Sequence, residues 1–471
     1  MKKSKEDLVQ NLKLAIFAQI INIIFSFVVS LVLPKILGVE QYSYWQLFIF
    51  YITYAGLLHF GLSDGIYLRY GGEKFEKLNS SIIGTQMKVM TFVQSIILLF
   101  TIVIVNTRNF LEPSRKKVVI LFFAYAVIAN ATWYLGYVFQ ACNLTRIFSI
   151  SVIILNMSFI VSLILLIAFK QKSFVIFCVF YILSMLCSLF YIAIRGNKFI
   201  FSKMCPLKTA LIEINKNIRI GINLTIANIA GSLILGVGRI VVDRTLGIES
   251  FGLMSLALSL TNFFLQFVLQ ISMVLFPALR RLEDREIKNT FVQLQNNVGY
   301  ILTIIMVMYT PIKMILQIWL PSYKQSFYYM IFLLPICLFD GKMQLIYSTF
   351  LKVIRKERVL FNINIIALII SFILCSMSAI CVNNTACVAL SMMLAIFLRY
   401  FMAYVYLNRN LAVSFDTNFF YEIIFTVLFI VSNIMFKDFI SFILILCLYV
   451  VYIIINRKNL AKIVTSIKNE L

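Results

Sequence analysis

The sequence is poor in charge and has almost no histidine, and each shortage excludes a class of protein. Only 13% of the 471 residues are charged, and His59 is the one histidine. A soluble domain carries about 25% charged residues, so a water-soluble protein of this size is excluded. A single histidine argues against His-based metal or catalytic clusters. Neither a P-loop nor metal-ligand spacing occurs, and we therefore predict a protein that is not an enzyme and has no cofactor.

Apolar residues take the place of the missing charge. Hydrophobic residues make up 62% of the chain, and its mean hydropathy is +0.95. The apolar runs are about 18 to 25 residues long, enough to cross hydrocarbon as helix, and none alternates like a barrel strand. We predict an all-α integral membrane protein with about 14 transmembrane helices. The predicted spans are residues 14–33, 44–64, 83–105, 118–140, 148–169, 173–194, 219–242, 251–276, 293–318, 326–350, 359–381, 384–407, 418–436 and 438–456.

A short motif that occurs twice divides the chain. The tetrapeptide LGVE at 37–40 follows the first apolar run, and LGIE at 246–249 follows the seventh. The two copies are separated by nearly half of the chain. A repeat with this spacing in an apolar chain is typical of a secondary transporter with related halves. We therefore predict two pseudo-symmetric six-helix lobes and a final helix pair. The predicted divisions are an N-lobe over 1–200, a cytoplasmic loop over 201–218, a C-lobe over 219–410, and a helix pair with a tail over 411–471.

Lysine and arginine are concentrated in alternate loops, which predicts the orientation. The basic segments 195–219, 280–288, 352–358 and 457–468 all fall on one side of the predicted spans. Cytoplasmic loops carry the excess of positive charge, so both termini are expected in the cytoplasm. Basic loops beside apolar helices meet anionic lipid head groups. The net charge of +23 is therefore expected without any nucleic-acid partner.

Two longer segments carry a family resemblance. Residues 60–72, FGLSDGIYLRYGG, end the second predicted span, and residues 275–281, LFPALRR, end the eighth. Together with the repeat, the two lobes and the extra helix pair, they resemble the polysaccharide-biosynthesis (Wzx-like) oligosaccharide flippase branch of the MOP (MATE/flippase) exporter superfamily. The resemblance extends over essentially the whole chain. These motifs mark a fold and a branch, and they do not identify a sugar.

The resemblance implies both an architecture and an activity. The two lobes are expected to form a V that opens alternately to each side, driven by a proton or sodium gradient. The expected substrate is an undecaprenyl-pyrophosphate-linked oligosaccharide, moved from the inner to the outer leaflet of the bacterial plasma membrane. Membrane lipids, a polysaccharide polymerase and a chain-length regulator are the other expected partners. The final helix pair is expected to hold the lipid tail.

Polar residues inside the spans are the candidates for the site. A pyrophosphate group needs cations along its path, and an intramembrane charge normally faces a cavity or a partner. The candidate substrate-binding residues are Arg69, Arg239, Gln266, Gln270, Lys313, Lys342 and Arg399. The candidate ion-coupling residues are His59, Asp64, Asp243 and Asp340.

Each candidate has a structural alternative. Asp340 and Lys342 are the deepest charges and could form a purely structural ion pair. Arg239 and Asp243 are four residues apart on one helix face and could pair with each other. Lys313 could snorkel to the interface.

The remaining candidates also allow a structural interpretation. A lone histidine such as His59 is often a satisfied core residue. Asp64 and Arg69 could be ordinary anchors at the cytoplasmic end of the second span. Glutamines such as Gln266 and Gln270 bond between helices at least as often as they bind ligands.

Three other functions share part of this pattern. A drug or cation antiporter of the same fold usually has only twelve helices. A lipid II flippase is expected to carry arginines in its first helix, and here Ser30 stands where Arg239 stands in the second repeat. An oligosaccharide polymerase or ligase is also polytopic, but normally has a long outer loop, which this sequence lacks.

Overall fold

In the computed structural model of the protein, the backbone is described for residues 2–107, 111–279, 284–414 and 417–455. Side chains are described for the same ranges except 2–16, 269–271, 273–278, 284–285 and 455. Helices fill nearly all of the described chain, which contains no strand. The helices up to the middle of the chain are α1 (Lys2–Ile52), α2 (Leu62–Arg69), α3 (Ser80–Thr107), α4 (Pro113–Ala141), α5 (Thr145–Ala168), α6 (Phe174–Arg195), α7 (Asn197–Ile200) and α8 (Leu207–Thr245).

The second half continues the helical series. Its helices are α9 (Ile248–Leu279), α10 (Asp284–Val307), α11 (Tyr309–Trp319), α12 (Lys324–Leu333), α13 (Ile336–Lys342), α14 (Thr349–Val353), α15 (Glu357–Met377), α16 (Thr385–Asn410), α17 (Thr417–Met435) and α18 (Asp438–Ile455). Short 3₁₀ helices cover Ala55–His59, Phe75–Lys77 and Pro321–Tyr323, and π-helical segments cover Met343–Ser348 and Ser378–Val382.

The number of helices that could cross a membrane agrees with the sequence prediction. Within the described residues, eleven helices are long and apolar enough, or twelve if a bent pair counts as one span. The first of them is divided at Gly38, and Asp438–Ile454 is a shorter apolar helix. These features together account for the spans predicted from the apolar runs. The protein is a multi-pass membrane protein.

The repeated motif marks the same local structure in both halves. Gly38 bends the long helix α1 with φ of 72°, and Gly247 separates α8 from α9 with φ of 87°. This left-handed region is readily available only to glycine. The two copies of the motif therefore mark a break between helical segments in each half.

The chain forms two compact units, residues Met1–Ile229 and Ala230–Leu471. The boundary between the units falls inside α8. Residues 201–218 were predicted as a loop, but α8 already begins at Leu207. The reason is an amphipathic pattern: Ala210 and Asn217 are fully buried, and Ile214 packs against the core of the first unit. Half of this stretch is polar, so hydropathy alone did not identify it. The predicted lobe limits stay a prediction.

Close backbone contact fixes the start of α8 inside the first unit. A Cβ atom at Gly65 in α2 would overlap the backbone of Asn217, and one at Gly221 would overlap the backbone of Gly61. Small residues let helices approach this closely in membranes, where packing and hydrogen bonds replace the hydrophobic effect between helices. The glycines thus set the distance between α2 and α8.

The tenth predicted span is bent in the middle of the second unit. The helical pieces on either side of the break meet at 44°, and Pro335 lies at the break. Proline removes a backbone donor and cannot continue the helix without distortion. The short helix α13 that follows carries both Asp340 and Lys342.

A buried ion pair anchors α17 to α13. The Lys342 ammonium lies 2.6 Å from Glu422 Oε1, and both side chains are only 1% exposed. The Tyr452 hydroxyl of α18 is 3.4 Å from the same oxygen. An ion pair, in addition to apolar contact, therefore holds the final helix pair against the rest of the second unit.

We expect Gly65→Ala to destabilise the protein, because the new Cβ meets rigid backbone. Overpacking of this kind costs about 1 to 3 kcal/mol. Gly231→Ala in α8 is the matched control, since its nearest neighbour, the Asn364 amide, would lie 3.9 Å away. Thermal unfolding in detergent measures both. Equal unfolding temperatures for the two variants would contradict the close packing of α2 on α8.

The Lys342 and Glu422 pair gives a second prediction. Glu422→Gln leaves a buried ammonium without its counter-charge and should lower stability by about 3 to 5 kcal/mol, whereas Lys342→Met/Glu422→Gln should recover most of that loss. Lys313→Met is the control, because its partner Asp438 is 39% exposed and an exposed pair contributes at most about 1 kcal/mol. Unfolding in detergent again provides the measurement. A double variant as unstable as Glu422→Gln would show that the pair acts through something other than charge compensation.

Candidate functional site

The strongest cluster of polar groups in the second unit is centred on Arg399. This residue lies in α16 and is 8% exposed. Arg399 Nη1 donates to Asp340 Oδ1 at 2.8 Å, and Arg399 Nε donates to Asn364 Oδ1 at 2.9 Å. The Gln344 side-chain amide donates to the other Asp340 oxygen at 2.8 Å. One charge pair is therefore contacted by helices α13, α15 and α16 and by the π-helical segment Met343–Ser348.

The guanidinium of Arg399 keeps donors beyond these contacts. It carries five N–H groups in a planar fork, and two hydrogen bonds hold it within the described residues. A fork of this shape binds carboxylate or phosphate oxygens in pairs. The arrangement can therefore hold a further anion beside Asp340.

A second cation lies near Arg399. Lys352 in α14 is an exposed lysine whose positive charge acts on the surroundings of Arg399. The carboxylate of Glu357, at the start of α15, acts on the same lysine with the opposite sign. Lys352 was interpreted from the sequence only as part of a cytoplasmic basic loop.

Lys342 is not part of this cluster, although it lies only two residues from Asp340. It pairs with Glu422 and is 1% exposed. Lys313 in α11 also has a partner, because its ammonium lies 2.6 Å from Asp438 at the start of α18. Both lysines thus tie the final helix pair to the rest of the second unit.

Arg239 and Asp243 lie near the end of α8. Arg239 Nε donates to Ser255 Oγ at 3.1 Å, and its guanidinium lies 5.1 Å from the centre of the Phe251 ring. Asp243 is 7% exposed. Gln266 in α9 is half-buried, whereas the Gln270 side chain lies outside the described residues.

The first unit has its own polar cluster at the start of α8. Arg69 of α2 forms an ion pair with Glu213 at 2.7 Å and donates to Asn217 Oδ1 at 3.1 Å. Thr225 donates its hydroxyl proton to the Asp64 carboxylate. Asp64 and Arg69 therefore hold the first half of α8 against α2.

His59 has a structural contact. The Gly61 N–H donates to His59 Nδ1 at 3.1 Å, and the imidazole is 6% exposed. A ring nitrogen that accepts a hydrogen bond carries no proton, so His59 is neutral in this arrangement. The histidine ends the short 3₁₀ helix Ala55–His59.

Sequence reasoning missed several residues that the structure brings to these sites. They are Gln344, Lys352, Asn364 and Glu422 in the second unit, and Glu213, Asn217 and Thr225 in the first. One signal was present: Glu422 is an acid inside an apolar run, which calls for a partner. In the part of the chain that is described, no three His, Cys, Asp or Glu side chains are placed to hold a metal ion.

The comparison with protein families gives one match. The model of the family described as "Polysaccharide biosynthesis protein" matches residues 8–283. No curated protein matches significantly.

Several solved structures share the fold. A lipid II flippase MurJ in an inward closed conformation has a TM-score of 0.71 and 12% identity, over 96% of this chain and 99% of that chain. An inward-facing multidrug resistance MATE family transporter of the MOP superfamily has a TM-score of 0.60 and 12% identity, over 86% and 98%. A MOP superfamily transporter from Pyrococcus furiosus Vc1 has a TM-score of 0.55 and 10% identity, over 87% and 96%.

These findings agree with the resemblance that residues 60–72 and 275–281 carry. The family match covers more than half of the chain, and the fold likeness extends over nearly all of it. The sequence resemblance predicted the flippase branch of the MOP superfamily. The chain belongs to the polysaccharide biosynthesis protein family and has the fold of the MOP superfamily.

Proposed function

We propose that this protein is a flippase for undecaprenyl-pyrophosphate-linked oligosaccharide units. It moves them from the inner to the outer leaflet of the bacterial plasma membrane by alternating access, with both termini in the cytoplasm. A proton or sodium gradient drives the cycle. A polysaccharide polymerase and a chain-length regulator act on the product.

The observation that carries this proposal is the buried arginine of α16. A pyrophosphate must leave water to cross the membrane, and it needs charge-assisted hydrogen bonds along its way. Arg399 keeps N–H donors that its contacts with Asp340 and Asn364 do not use. Asp340 compensates the arginine when no substrate is bound, so the site need not hold an isolated charge.

Asp340 also offers a route to ion coupling. The carboxylate already compensates the charge of Arg399, so it competes with a phosphate for the guanidinium. A coupling ion that neutralised Asp340 would release the arginine for the substrate.

The final helix pair favours a lipid-linked substrate over a drug. The similar MATE structure covers 86% of this chain, whereas the MurJ structure covers 96%. An extra pair beyond twelve helices suits a long isoprenoid tail, which a small water-soluble drug does not have. The MurJ structure is that of a lipid II flippase. The experiment in the next paragraphs therefore separates export of lipid II from export of the lipid-linked oligosaccharide.

The test is the position of the lipid-linked glycan in cells that lack the gene. We expect completed single repeat units to accumulate on the cytoplasmic side, where an impermeant sugar-modifying probe does not reach them. The wild-type gene should restore export, and Arg399→Ala should not. Arg146→Ala is the matched control, because Arg146 is an exposed arginine of α5, and it should restore export fully.

Other outcomes would contradict the proposal. Outward-facing but unpolymerised units would identify a polymerase. Accumulation of lipid II in place of the oligosaccharide would identify a flippase for peptidoglycan synthesis. If Arg399→Ala is expressed normally and restores full export, Arg399 does not contact the substrate during transport.

A further inference from the structure

The second predicted span is interrupted, and the interruption lies in the first unit. The sequence predicted one continuous helix over residues 44–64. Instead α1 ends at Ile52, the chain forms a short 3₁₀ helix over Ala55–His59, and α2 begins at Leu62. Phe60 and Gly61 between them have φ of 50° and 84°. We call residues 53–61 the interrupted segment.

This segment contacts the middle of two helices that are long and apolar enough to cross a membrane. The Gln94 side-chain amide donates to the Leu58 carbonyl at 3.0 Å, and the Asn130 amide donates to the Ala55 carbonyl at 3.0 Å. Gln94 is at the midpoint of α3, and Asn130 is close to the midpoint of α4. Because both helices are membrane spans, their midpoints place the interruption at mid-depth.

The shape of the interruption is held by buried polar side chains. Gln94 is 2% exposed, Asn130 is fully buried, and His59 accepts from the Gly61 N–H. Burying three such groups is unfavourable unless each makes hydrogen bonds. Each of the three bonds to the backbone of this one segment. The interruption is therefore a defined part of the fold.

The start of the segment has a carbonyl without a backbone partner. Within the described residues, no backbone N–H donates to the carbonyl oxygen of Thr53, and Thr53 is exposed. The Thr53 hydroxyl donates to the Ile49 carbonyl at 2.9 Å. Irregular backbone at membrane depth occurs only where it is buried in protein or borders a water-filled cavity. Because Thr53 is exposed and not buried in protein, the second of these conditions applies to its end of the segment.

We infer that the interrupted segment is a subsite for the sugar part of the transported lipid, an inference that depends on the proposed flippase function. Carbonyl oxygens accept hydrogen bonds from sugar hydroxyls. Tyr54 and Phe60 of the same segment are half-buried and exposed, respectively, and aromatic rings of this kind offer flat apolar faces to a ligand. Broken transmembrane helices commonly form substrate sites in transporters.

The charges of the segment favour a neutral ligand. Residues 51–61 contain no acidic or basic side chain other than the neutral His59. The nearest acid in the sequence, Asp64, accepts a hydrogen bond from Thr225. A phosphate would find no cation here, and a metal ion would find no carboxylate. A polyhydroxylated sugar matches these groups best.

Gly56 is the position in the segment where an added side chain tests the subsite. Gly56 is half-buried, and a Cβ there would meet only the His59 Nε2 atom at 3.5 Å, an ordinary contact. Gly56→Leu therefore adds a bulky apolar side chain to the segment. Ala168→Leu adds a similar side chain at the exposed end of α5 and is the matched control.

The experiment compares two lipids on purified protein in nanodiscs. One is undecaprenyl diphosphate without sugar, and the other is the saccharide-bearing lipid extracted from the deletion strain. Wild type and Ala168→Leu should bind the saccharide-bearing lipid more tightly. Gly56→Leu should reduce that preference about tenfold, which is the effect of one or two hydrogen bonds, and leave binding of the sugar-free lipid unchanged.

Each other result would overturn the inference. An unchanged preference would show that the sugar binds elsewhere, with the flippase function intact. If Gly56→Leu loses binding of both lipids equally, the substitution damages the protein in general. If wild type loses its preference for the saccharide-bearing lipid when sodium is replaced with choline, the segment is a cation site. If wild type binds neither lipid, the subsite and the proposed function both fail.

Discussion

The ion pair between Asp340 and Arg399 is the interaction on which the second unit depends. A charge in the bilayer costs several kcal/mol unless it has a partner or borders water. Here the arginine has Asp340 and Asn364, and the aspartate also has Gln344. Lys342 lies two positions from Asp340, so the two side chains point to nearly opposite faces of the helix. One face binds α16 and the other binds α17, which places a potential anion site and a structural anchor on the same short segment.

The sequence predicted the architecture because membrane helices have strong signals. Long apolar runs identified the spans, and the repeated Leu-Gly motif, from which two related halves were predicted, marks two helix breaks where Gly38 and Gly247 adopt left-handed backbone. The resemblance at residues 60–72 and 275–281 pointed to the family that the comparisons support. Hydropathy failed where half of a helix is polar, as in the first turns of α8 from Leu207.

The partners of the charged residues were not predictable in the same way. A buried charge requires a partner, but the sequence does not say which residue supplies it. Glu422 pairs with Lys342 across 80 positions, and Asp340 meets Arg399 across 59. The interrupted segment was missed because Gln94 and Asn130 satisfy its carbonyls from two other helices. Gly56 and Gly61 were weak local signals inside an apolar run. The assignment of roles to the candidate site residues stays a prediction.

The most direct measurement is a double-mutant cycle on Asp340 and Arg399. Its two readouts are thermal stability and binding of undecaprenyl diphosphate. Asp340→Asn and Arg399→Met should each lower stability by about 3 to 5 kcal/mol, and the double variant should recover most of the loss. Binding should fall about tenfold or more whenever Arg399 is absent, including in the stable double variant, and should persist in Asp340→Asn. If the double variant binds the lipid as wild type does, the pair is structural only, and Arg399 does not hold the diphosphate.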